Sequence, residues 1–398
     1  MTTHRPVLIA GGGIGGLATA VALDRQDIET HILERSSFTE ESGAGIQLGP
    51  NATRILRQLG VLDALEPLGF RPKAIWLFDG RNGEKLATVP LGNVAEERYG
   101  APYLTAHRAD LHEALRLAAS DAPHVALTSN ATVTGIIEDE GVSVTGPDGT
   151  TWRGSALIGA DGIWSTVRRW VAPAATPAFT GATAFRSLLP RDSLPEPFSA
   201  PIVGLWLGPR THLVHYPVRG GAAVNVVAVT EAGEKEEGWN NAVDKQTVLA
   251  NFARWNRTPI DLLEAAPAWR AWSLLALPAL PAWSRGRTAL LGDAAHPVLP
   301  YLAQGAGLAI EDAVTLADRL RQSRAEPTQA FAAYESIRRP RATRVQRVSK
   351  RLGRVYHLGD SVFSDFVRIS RNAVLKLRDE EATLRGFDWL YGRSHQGS

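Results

Sequence analysis

No cysteine occurs in the 398 residues, which excludes structural disulfides, iron–sulfur ligation, thiolate zinc sites and a cysteine nucleophile. Long hydrophobic runs are also missing: no stretch approaches the roughly 18 uncharged apolar residues of a membrane helix, and mean hydropathy is slightly negative. Neither charge sign dominates, since 43 basic against 41 acidic residues leave a formal net charge of +2. No whole-chain field therefore points to nucleic acid or to an anionic membrane. Internal repeats and low-complexity segments are absent as well. What is present, 44% hydrophobic and 21% charged residues, supplies one large core or two moderate ones and excludes intrinsic disorder. The first apolar run passes straight into glycines instead of a signal-peptide core and cleavage site, so a soluble cytoplasmic protein is expected.

The chain opens as a βαβ unit, with an apolar strand from Val7 to Ala10, a helix from Ile14 to Arg25 and a second strand from His31 to Glu34. Pro50 and Asn51 open a further helix with Ile55, Leu56 and Leu59 on one face and Gly60 at its stop. Asp110 and Glu113 read as a capping box opening a helix through Leu117, and residues 75–103 before it read as strands and turns. Val142–Thr145, the Gly146-Pro147-Asp148-Gly149 turn and Trp152 onward read as a hairpin leading to a buried run at Ala156–Ala160. From about 178 to 281 the texture becomes β-rich, with Ile202–Leu207, His212–Pro217 and Ala223–Thr230 as strands of a mostly antiparallel domain. A buried strand at Thr288–Gly292 and a long helix over 304–321 return the chain to its first domain.

The expected fold is therefore α/β with an α+β second domain. A discontinuous dinucleotide-binding domain takes 1–74, 104–177 and 282–345, a β-rich substrate domain takes 75–103 and 178–281, and 346–398 form a C-terminal helical segment. Arginines from Arg338 to Arg354 are spaced through a helical pattern and read as a solvated or interdomain face, because the aromatic interleaving of nucleic-acid platforms is missing.

Gly11-Gly12-Gly13-Ile14-Gly15-Gly16 fits GxGxxG directly after a strand and at the opening of a helix, the context that gives the motif meaning. Gly11, Gly13 and Gly16 allow a tight turn and close approach of a pyrophosphate, whose charge the free amides and the helix N-terminus from Ile14 stabilise. Glu34 ends the second strand about 20 residues on, where an acid accepts ribose hydroxyls, and Arg35 beside it belongs to the same site. The motif alone does not choose between NAD and FAD. Two more strand ends narrow the choice: Ala160-Asp161-Gly162, followed by Ser165, Arg168 and Arg169, and Gly292-Asp293-Ala294-Ala295-His296-Pro297, followed by Gln304-Gly305-Ala306-Gly307.

Taken in order, these three segments resemble the fingerprints of single-component FAD-dependent aromatic hydroxylases with the para-hydroxybenzoate hydroxylase fold. The resemblance implies a ribityl contact for Asp293, and a segment around Asp161 that touches pyridine nucleotide and FAD pyrophosphate largely through structure. It also implies a helix after Gly305, Ala306 and Gly307 whose amides face the flavin pyrimidine edge. Arg108 resembles the family's arginine near the FAD phosphates, and Gly43-Ala44-Gly45-Ile46-Gln47-Leu48 resembles the loop beside the isoalloxazine, which brings Gln47 into the cofactor set. The likeness spans nearly the whole chain and narrows toward 3-hydroxybenzoate 6-hydroxylases and salicylate-hydroxylase-like enzymes. It rests there on residues 208–221, on Ala309-Ile310-Glu311-Asp312-Ala313, and on Tyr356-His357-Leu358 and Asp388-Trp389-Leu390.

His212 and Tyr216 are four apart in a strand and so share a face, with His215 on the other. The resembling enzymes use a histidine at the position of His212. His212 is thus the candidate acceptor of a phenol proton and Tyr216 the candidate that orients the ring or its carboxylate. His296 is given no proton transfer, because in the family its His-Pro step shapes the backbone beside the flavin. The implied reaction uses bound FAD, NADH or NADPH as a transient co-substrate and molecular oxygen. It hydroxylates a phenolic aromatic acid through a flavin C4a-hydroperoxide, with 3-hydroxybenzoate to 2,5-dihydroxybenzoate as the leading expectation. Salicylate 1-hydroxylation with decarboxylation, hydroxylation of a hydroxynicotinate, and a non-hydroxylating FAD-binding redox module are the alternatives. Pro300 before Tyr301, where 3-hydroxybenzoate 6-hydroxylases can carry a glutamine, leaves the carbon attacked open. No second GxGxxG occurs, so the nicotinamide nucleotide has no domain of its own. A homodimer is expected from the resemblance, with no nucleic-acid partner and no metal.

Overall fold

The computed structural model describes residues 5–38, 44–231, 241–358 and 362–392. Gly43, the first residue of the loop expected beside the flavin, lies outside the described residues. Among these residues a six-stranded sheet runs in the order Ser284–Arg285, Thr288–Leu290, Ala156–Gly159, Val7–Ala10, Thr30–Leu33, Val125–Thr128. All its pairings are parallel except the short edge strand Ser284–Arg285. The strands VLIA and ALIG are buried at every position, as a parallel sheet covered on both faces requires.

Because these strands run the same way, their carboxyl ends open on one edge. Gly11, Glu34, Ala160-Asp161 and Leu291-Gly292-Asp293 follow four of them. Val7–Ala10 lies between Ala156–Gly159 on one side and Thr30–Leu33 on the other, so the strand order reverses there, and the crevice outside such a point is where open α/β sheets bind ligands.

An eight-stranded sheet takes its strands from within 74–90 and 178–276, in the order Asn241–Val243, Trp269–Ala276, Ala178–Pro190, Ala223–Thr230, Thr211–Val218, Ile202–Gly208, Ala74–Asp79, Lys85–Pro90. It is antiparallel except where Ile202–Gly208 meets Ala74–Asp79. The expected hairpin forms, with Thr145 opposite Thr151, and Gly135–Glu138 adds a third strand beside it.

Two local expectations need correction. Residues 75–103 are not all strand and turn: Gly92–Tyr99 is a helix. Its Ala-Glu-Glu-Arg run favours helix, Ala95 and Tyr99 are buried one turn apart, and Gly100 closes it at φ 73°. Asp110 does not cap the next helix, which spans Arg108–Ser120 with His107 as its N-cap. The strand Leu104–His107 runs directly into that helix, so Asp110 sits in its first turn, where its charge suits the dipole, and Glu113 pairs with Arg116.

The helix Ile14–Asp24 packs on the parallel sheet, Gly305–Gln322 packs on that helix, and the 30-residue helix Pro327–Tyr356 packs on Gly305–Gln322 in turn. The last of these runs through residue 345, so the expected start of the C-terminal segment lies inside it. Its arginines are not a solvated or interdomain face throughout. Arg338 and Arg341 turn inward to Glu311 and Asp312, and Arg344 lies over the Trp389 ring at 4.2 Å. No helix among the described residues is long and apolar enough to cross a membrane.

Candidate active site

A cleft of about 320 Å³ lies at the carboxyl edge of the parallel sheet. Of the residues singled out in the sequence, Gly11, Gly13, Ile14, Glu34, Arg35, Arg108, Asp161, Asp293, Gly305 and Ala306 all line it. Gly16 lies behind the turn against the Gly11 carbonyl, while Gly307 faces Gln304 and Asn51. Gly11 must be glycine: its φ is 105°, and a Cβ would stand 2.5 Å from the Ala160 carbonyl oxygen, closing the two strand ends on each other.

Of the three carboxylates expected in the cofactor set, Glu34 and Asp293 differ from Asp161. Glu34 accepts the Gly12 N–H at 2.6 Å on one oxygen and the Ser36 amide and hydroxyl, at 2.9 and 2.7 Å, on the other. These bonds fix its orientation at the rim and leave lone pairs toward the cleft. Asp293 opens into the cleft. The protein around it still raises its carboxyl above the usual range by desolvation, opposed by His296, Arg108 and Arg168. Asp161 is engaged within the chain: it accepts from the Ser165 hydroxyl at 2.5 Å and from the Thr166 and Val167 amides at 2.7 and 3.1 Å, tying down the start of helix Thr166–Val171. Burial also raises its carboxyl. Arg168 then links this turn to the next, donating to the Ile163 carbonyl at 2.5 Å and the Ala294 carbonyl at 3.1 Å.

His296 is buried, stacks on Trp283 with ring centroids 4.7 Å apart, and bonds Asp312. It does not line the cleft.

A second cavity, of about 340 Å³ and mostly apolar, lies against the eight-stranded sheet. Leu205, Leu207, Val214 and Trp389 give it aliphatic and aromatic walls, and His212, Tyr301 and Tyr356 line it too. The two spaces meet at one segment, since Pro300–Ala303 line the apolar cavity and Gly305 and Ala306 line the cleft. Gln47 also lines the apolar cavity, not the cleft. Its strand Gly45–Leu48 pairs with Leu104–His107, and its amide oxygen accepts from the Tyr103 hydroxyl at 2.7 Å. Gly45 docks that strand on the large sheet through its N–H to Asn225 Oδ1 at 2.7 Å. A Cβ on Gly45 would meet Asn225 at 2.5 Å and the Tyr216 ring at 2.7 Å.

His212 and Tyr216 occupy the strand Thr211–Val218, opposite Val229 and Asn225 respectively. Burial, and after it the neighbouring His357, holds the His212 imidazole well below its usual range. A neutral ring at neutral pH is a competent proton acceptor. Tyr216 is not part of the cavity wall; it lies one layer back, hydrogen-bonded to Gln47, and burial raises its hydroxyl against the opposing effect of Arg186. His215 faces the other side of the sheet, edge-on to Phe198 at 5.0 Å, with neither ring nitrogen bonded among the described residues.

Sequence reasoning gave no role to His357, Tyr356 or Glu231. Tyr356 and His357 stood in a segment that carried the resemblance, but their position against His212 depends on a fold-back of the C-terminal helix, and Glu231 carries no local signal.

The parallel sheet, its glycine turn and the acids at its strand ends define a dinucleotide-binding oxidoreductase. Residues 4–349 match the model of the FAD binding domain family. The 3-hydroxybenzoate 6-hydroxylase of Klebsiella oxytoca is 37% identical over 386 residues, covering 97% of this chain and 96% of that protein. The 3-amino-4-hydroxybenzoate 2-monooxygenase of Streptomyces platensis, PtnB3, is 39% identical over 394 residues, covering 98% and 97%. Among solved structures, Klebsiella pneumoniae HpxO complexed with FAD and uric acid superposes with a TM-score of 0.85 at 26% identity, covering 99% of this chain and 98% of that one. The chain belongs to the FAD-dependent aromatic hydroxylases, as its motifs implied.

The cleft suits that cofactor. Gly13, the N-cap of helix Ile14–Asp24, offers no side-chain cap, so the first-turn amides are left to an anion. Arg35 and Arg108 add positive charge, and Glu34 and Asp293 supply hydroxyl acceptors along the same cleft. Gln304 likewise gives no side-chain cap to helix Gly305–Gln322, whose first residues reach the cleft where it meets the apolar cavity.

Proposed function

We propose that this protein hydroxylates a phenolic aromatic acid using NADH or NADPH and molecular oxygen, with 3-hydroxybenzoate converted to 2,5-dihydroxybenzoate. The observation that carries this reading is the position of His212, a buried neutral imidazole in the wall of an apolar cavity that adjoins the cofactor cleft. FAD, when bound, supplies the activation of oxygen that a closed-shell aromatic ring needs.

The chain's own residues do the rest. The aliphatic and aromatic wall packs the ring and excludes water, which strengthens every polar contact inside. His212 takes the phenol proton, raising electron density at the ring carbons ortho and para to the oxygen. Gln47, held by Tyr103 and Tyr216, offers its amide at the cavity wall to the ring substituents. Attack para to the hydroxyl of 3-hydroxybenzoate gives 2,5-dihydroxybenzoate, in keeping with the relative from Klebsiella oxytoca. A homodimer is part of this reading; a monomeric mass at micromolar concentration would speak against it.

The test is oxygen and NADH consumption by the flavin-loaded protein with 3-hydroxybenzoate, salicylate and 4-hydroxybenzoate in parallel, with product and hydrogen peroxide quantified. Stoichiometric 2,5-dihydroxybenzoate from 3-hydroxybenzoate supports the proposal. Catechol from salicylate shifts the assignment to a decarboxylating hydroxylase, and peroxide alone with all three removes these substrates.

A further inference from the structure

His212 Nδ1 lies 2.6 Å from His357 Nε2, and His357 Nδ1 lies 2.8 Å from Glu231 Oε1. His212 and His357 are both buried, whereas the Glu231 side chain keeps 39% of its surface exposed. The three groups make a continuous hydrogen-bonded line from the apolar cavity to solvent.

The protons on this line are ordered by chemistry. An ionised carboxylate only accepts, so His357 Nδ1 carries the hydrogen that faces Glu231. Neutral His357 is then an acceptor at Nε2, and His212 must donate to it from Nδ1. That choice puts the lone pair of His212 on Nε2, the nitrogen not engaged by His357, on a ring that lines the cavity. Glu231 thereby sets the tautomer of His212 from two residues away, as a carboxylate behind a histidine does in other acid–base sites.

We infer that Glu231, His357 and His212 form a proton relay that readies His212 as the acceptor and carries the substrate's proton out of the apolar cavity. This rests on the reading of His212 given above. The transfer balances: the phenol O–H proton goes to His212 Nε2, the Nδ1 proton of His212 to His357 Nε2, and the Nδ1 proton of His357 to the Glu231 carboxylate and then to water. The phenol becomes a phenolate, and no charge stays on the buried imidazoles.

The fold holds each member in place. His212 is the second residue of the strand Thr211–Val218, and the strand Ala223–Thr230 runs antiparallel beside it with Thr230 opposite Thr211. Beyond that pair the Glu231 N–H donates to the Arg210 carbonyl at 2.9 Å, and Arg210 donates from its guanidinium to the Glu231 carbonyl at 2.6 Å. His357 is the C-cap of Pro327–Tyr356, its N–H bonded to the Gly353 carbonyl. Tyr301 and Tyr356 flank the His212 ring at 5.5 and 5.7 Å, and Tyr301 stands edge-on to His357 at 5.5 Å. Among the described residues, the titratable and charged groups around the relay include these two tyrosines, Arg210, and Arg371, which lines the same cavity and donates to the Val355 carbonyl at 2.9 Å.

The experiment uses FAD-loaded protein in two measurements. Histidine nitrogen and proton spectra, with no aromatic acid present, should show Nδ1–H tautomers for His212 and His357 and a low-field resonance for the short bond between them. That resonance should vanish in His212→Gln. An Nε2–H tautomer at His357 overturns the relay. The second measurement is proton release to a pH indicator on rapid mixing with whichever of 3-hydroxybenzoate, salicylate or 6-hydroxynicotinate most perturbs the flavin spectrum. His357→Gln and Glu231→Gln keep a donor and an acceptor at each position but cannot pass a proton, so release should slow about tenfold or more while the acid still binds. Release lost in His212→Gln but unchanged in both other variants overturns the relay and spares His212 as acceptor. Release unchanged in His212→Gln overturns both.

Discussion

His296 Nε2 lies 2.5 Å from Asp312 Oδ2, with both side chains shut away from solvent. Asp312 also accepts the Gly292 amide at 3.2 Å on that oxygen and Arg338 Nε at 2.7 Å on the other. Glu311 beside it takes Arg338, Arg341 and Asn51, each by at least one bond of 2.5 to 2.7 Å. One buried charged cluster thus ties the turn after the strand Thr288–Leu290 to the helix Gly305–Gln322 and to Pro327–Tyr356. His296 contributes to the cleft through this cluster, by fixing the turn that carries Asp293.

Asp312→Asn should therefore destabilise the protein by about 3 to 5 kcal/mol, the usual cost of removing one partner from a buried ion cluster. Chemical denaturation at neutral pH measures it. Desolvation alone would raise the Asp312 carboxyl, but His296 and Arg338 outweigh it and hold it at about 2 against an ordinary 3.8. A depressed carboxyl contributes stability that is fully present above its unfolded value and is lost as pH falls through the folded one. The deficit of the variant should accordingly narrow as pH falls from about 4 to about 2.

His215 gives the opposite kind of pH dependence. Burial pushes its imidazole down to about 3 from 6.5, and neither nitrogen has a hydrogen-bond partner among the described residues. The unfolded chain binds a proton at His215 that the folded one refuses, so stability falls as pH drops below about 6.5, by about 1.4 kcal/mol per pH unit. His215→Leu should flatten denaturation midpoints between pH 6.5 and 5. An unchanged slope would assign the acid sensitivity to other groups.

Asp293→Ala should weaken FAD retention about tenfold to a hundredfold, the range for a hydrogen bond to a charged group. The carboxylate opens into the cleft without being the anchor of a helix, so its loss leaves the fold intact. Asp161→Ala should behave differently, lowering thermal stability because three bonds at the start of Thr166–Val171 are lost. Flavin fluorescence titration beside thermal melting separates the two. Full flavin occupancy of Asp293→Ala after gel filtration would contradict the contact.

The parts of this molecule legible in the sequence are those whose signal is local. Val7–Ala10 and Ala156–Gly159 are uninterrupted apolar runs, followed by Gly11 and by Ala160-Asp161, so strand, turn and cleft residue could be read together. The helix Gly92–Tyr99 escaped because only Ala95 and Tyr99 of its eight residues are buried, too few to impose a period. The relay escaped for a different reason: His357 lies 145 residues from His212 and 126 from Glu231. Such contacts arise from the fold-back of a helix onto the ends of two interior strands and leave no mark in spacing.

Gly45→Ala would press a methyl group on Asn225 and Tyr216, both side chains that can shift only by disturbing the docking of Gly45–Leu48. A loss of about 1 to 3 kcal/mol is expected from such overpacking. Because Gln47 moves with that strand, the affinity for the aromatic acid should fall more than the affinity for FAD. Parallel titrations of each ligand check this.

His212→Gln tests the chemistry most directly. Glutamine can accept from or donate to a phenol and fills similar space, so FAD and the aromatic acid should both still bind. It cannot hold the proton, and hydroxylation should slow about a hundredfold, the lower range for loss of a general base. NADH oxidation should persist, with its electrons appearing as hydrogen peroxide in place of hydroxylated product. With His212 held well below its usual range, the wild-type ring is already neutral at pH 7, so lowering the pH to 6 should leave the ratio of product to NADH unchanged. A marked fall over that interval would mean that the proton acceptor titrates near neutrality, and the acceptor would then have to be sought outside this buried pair.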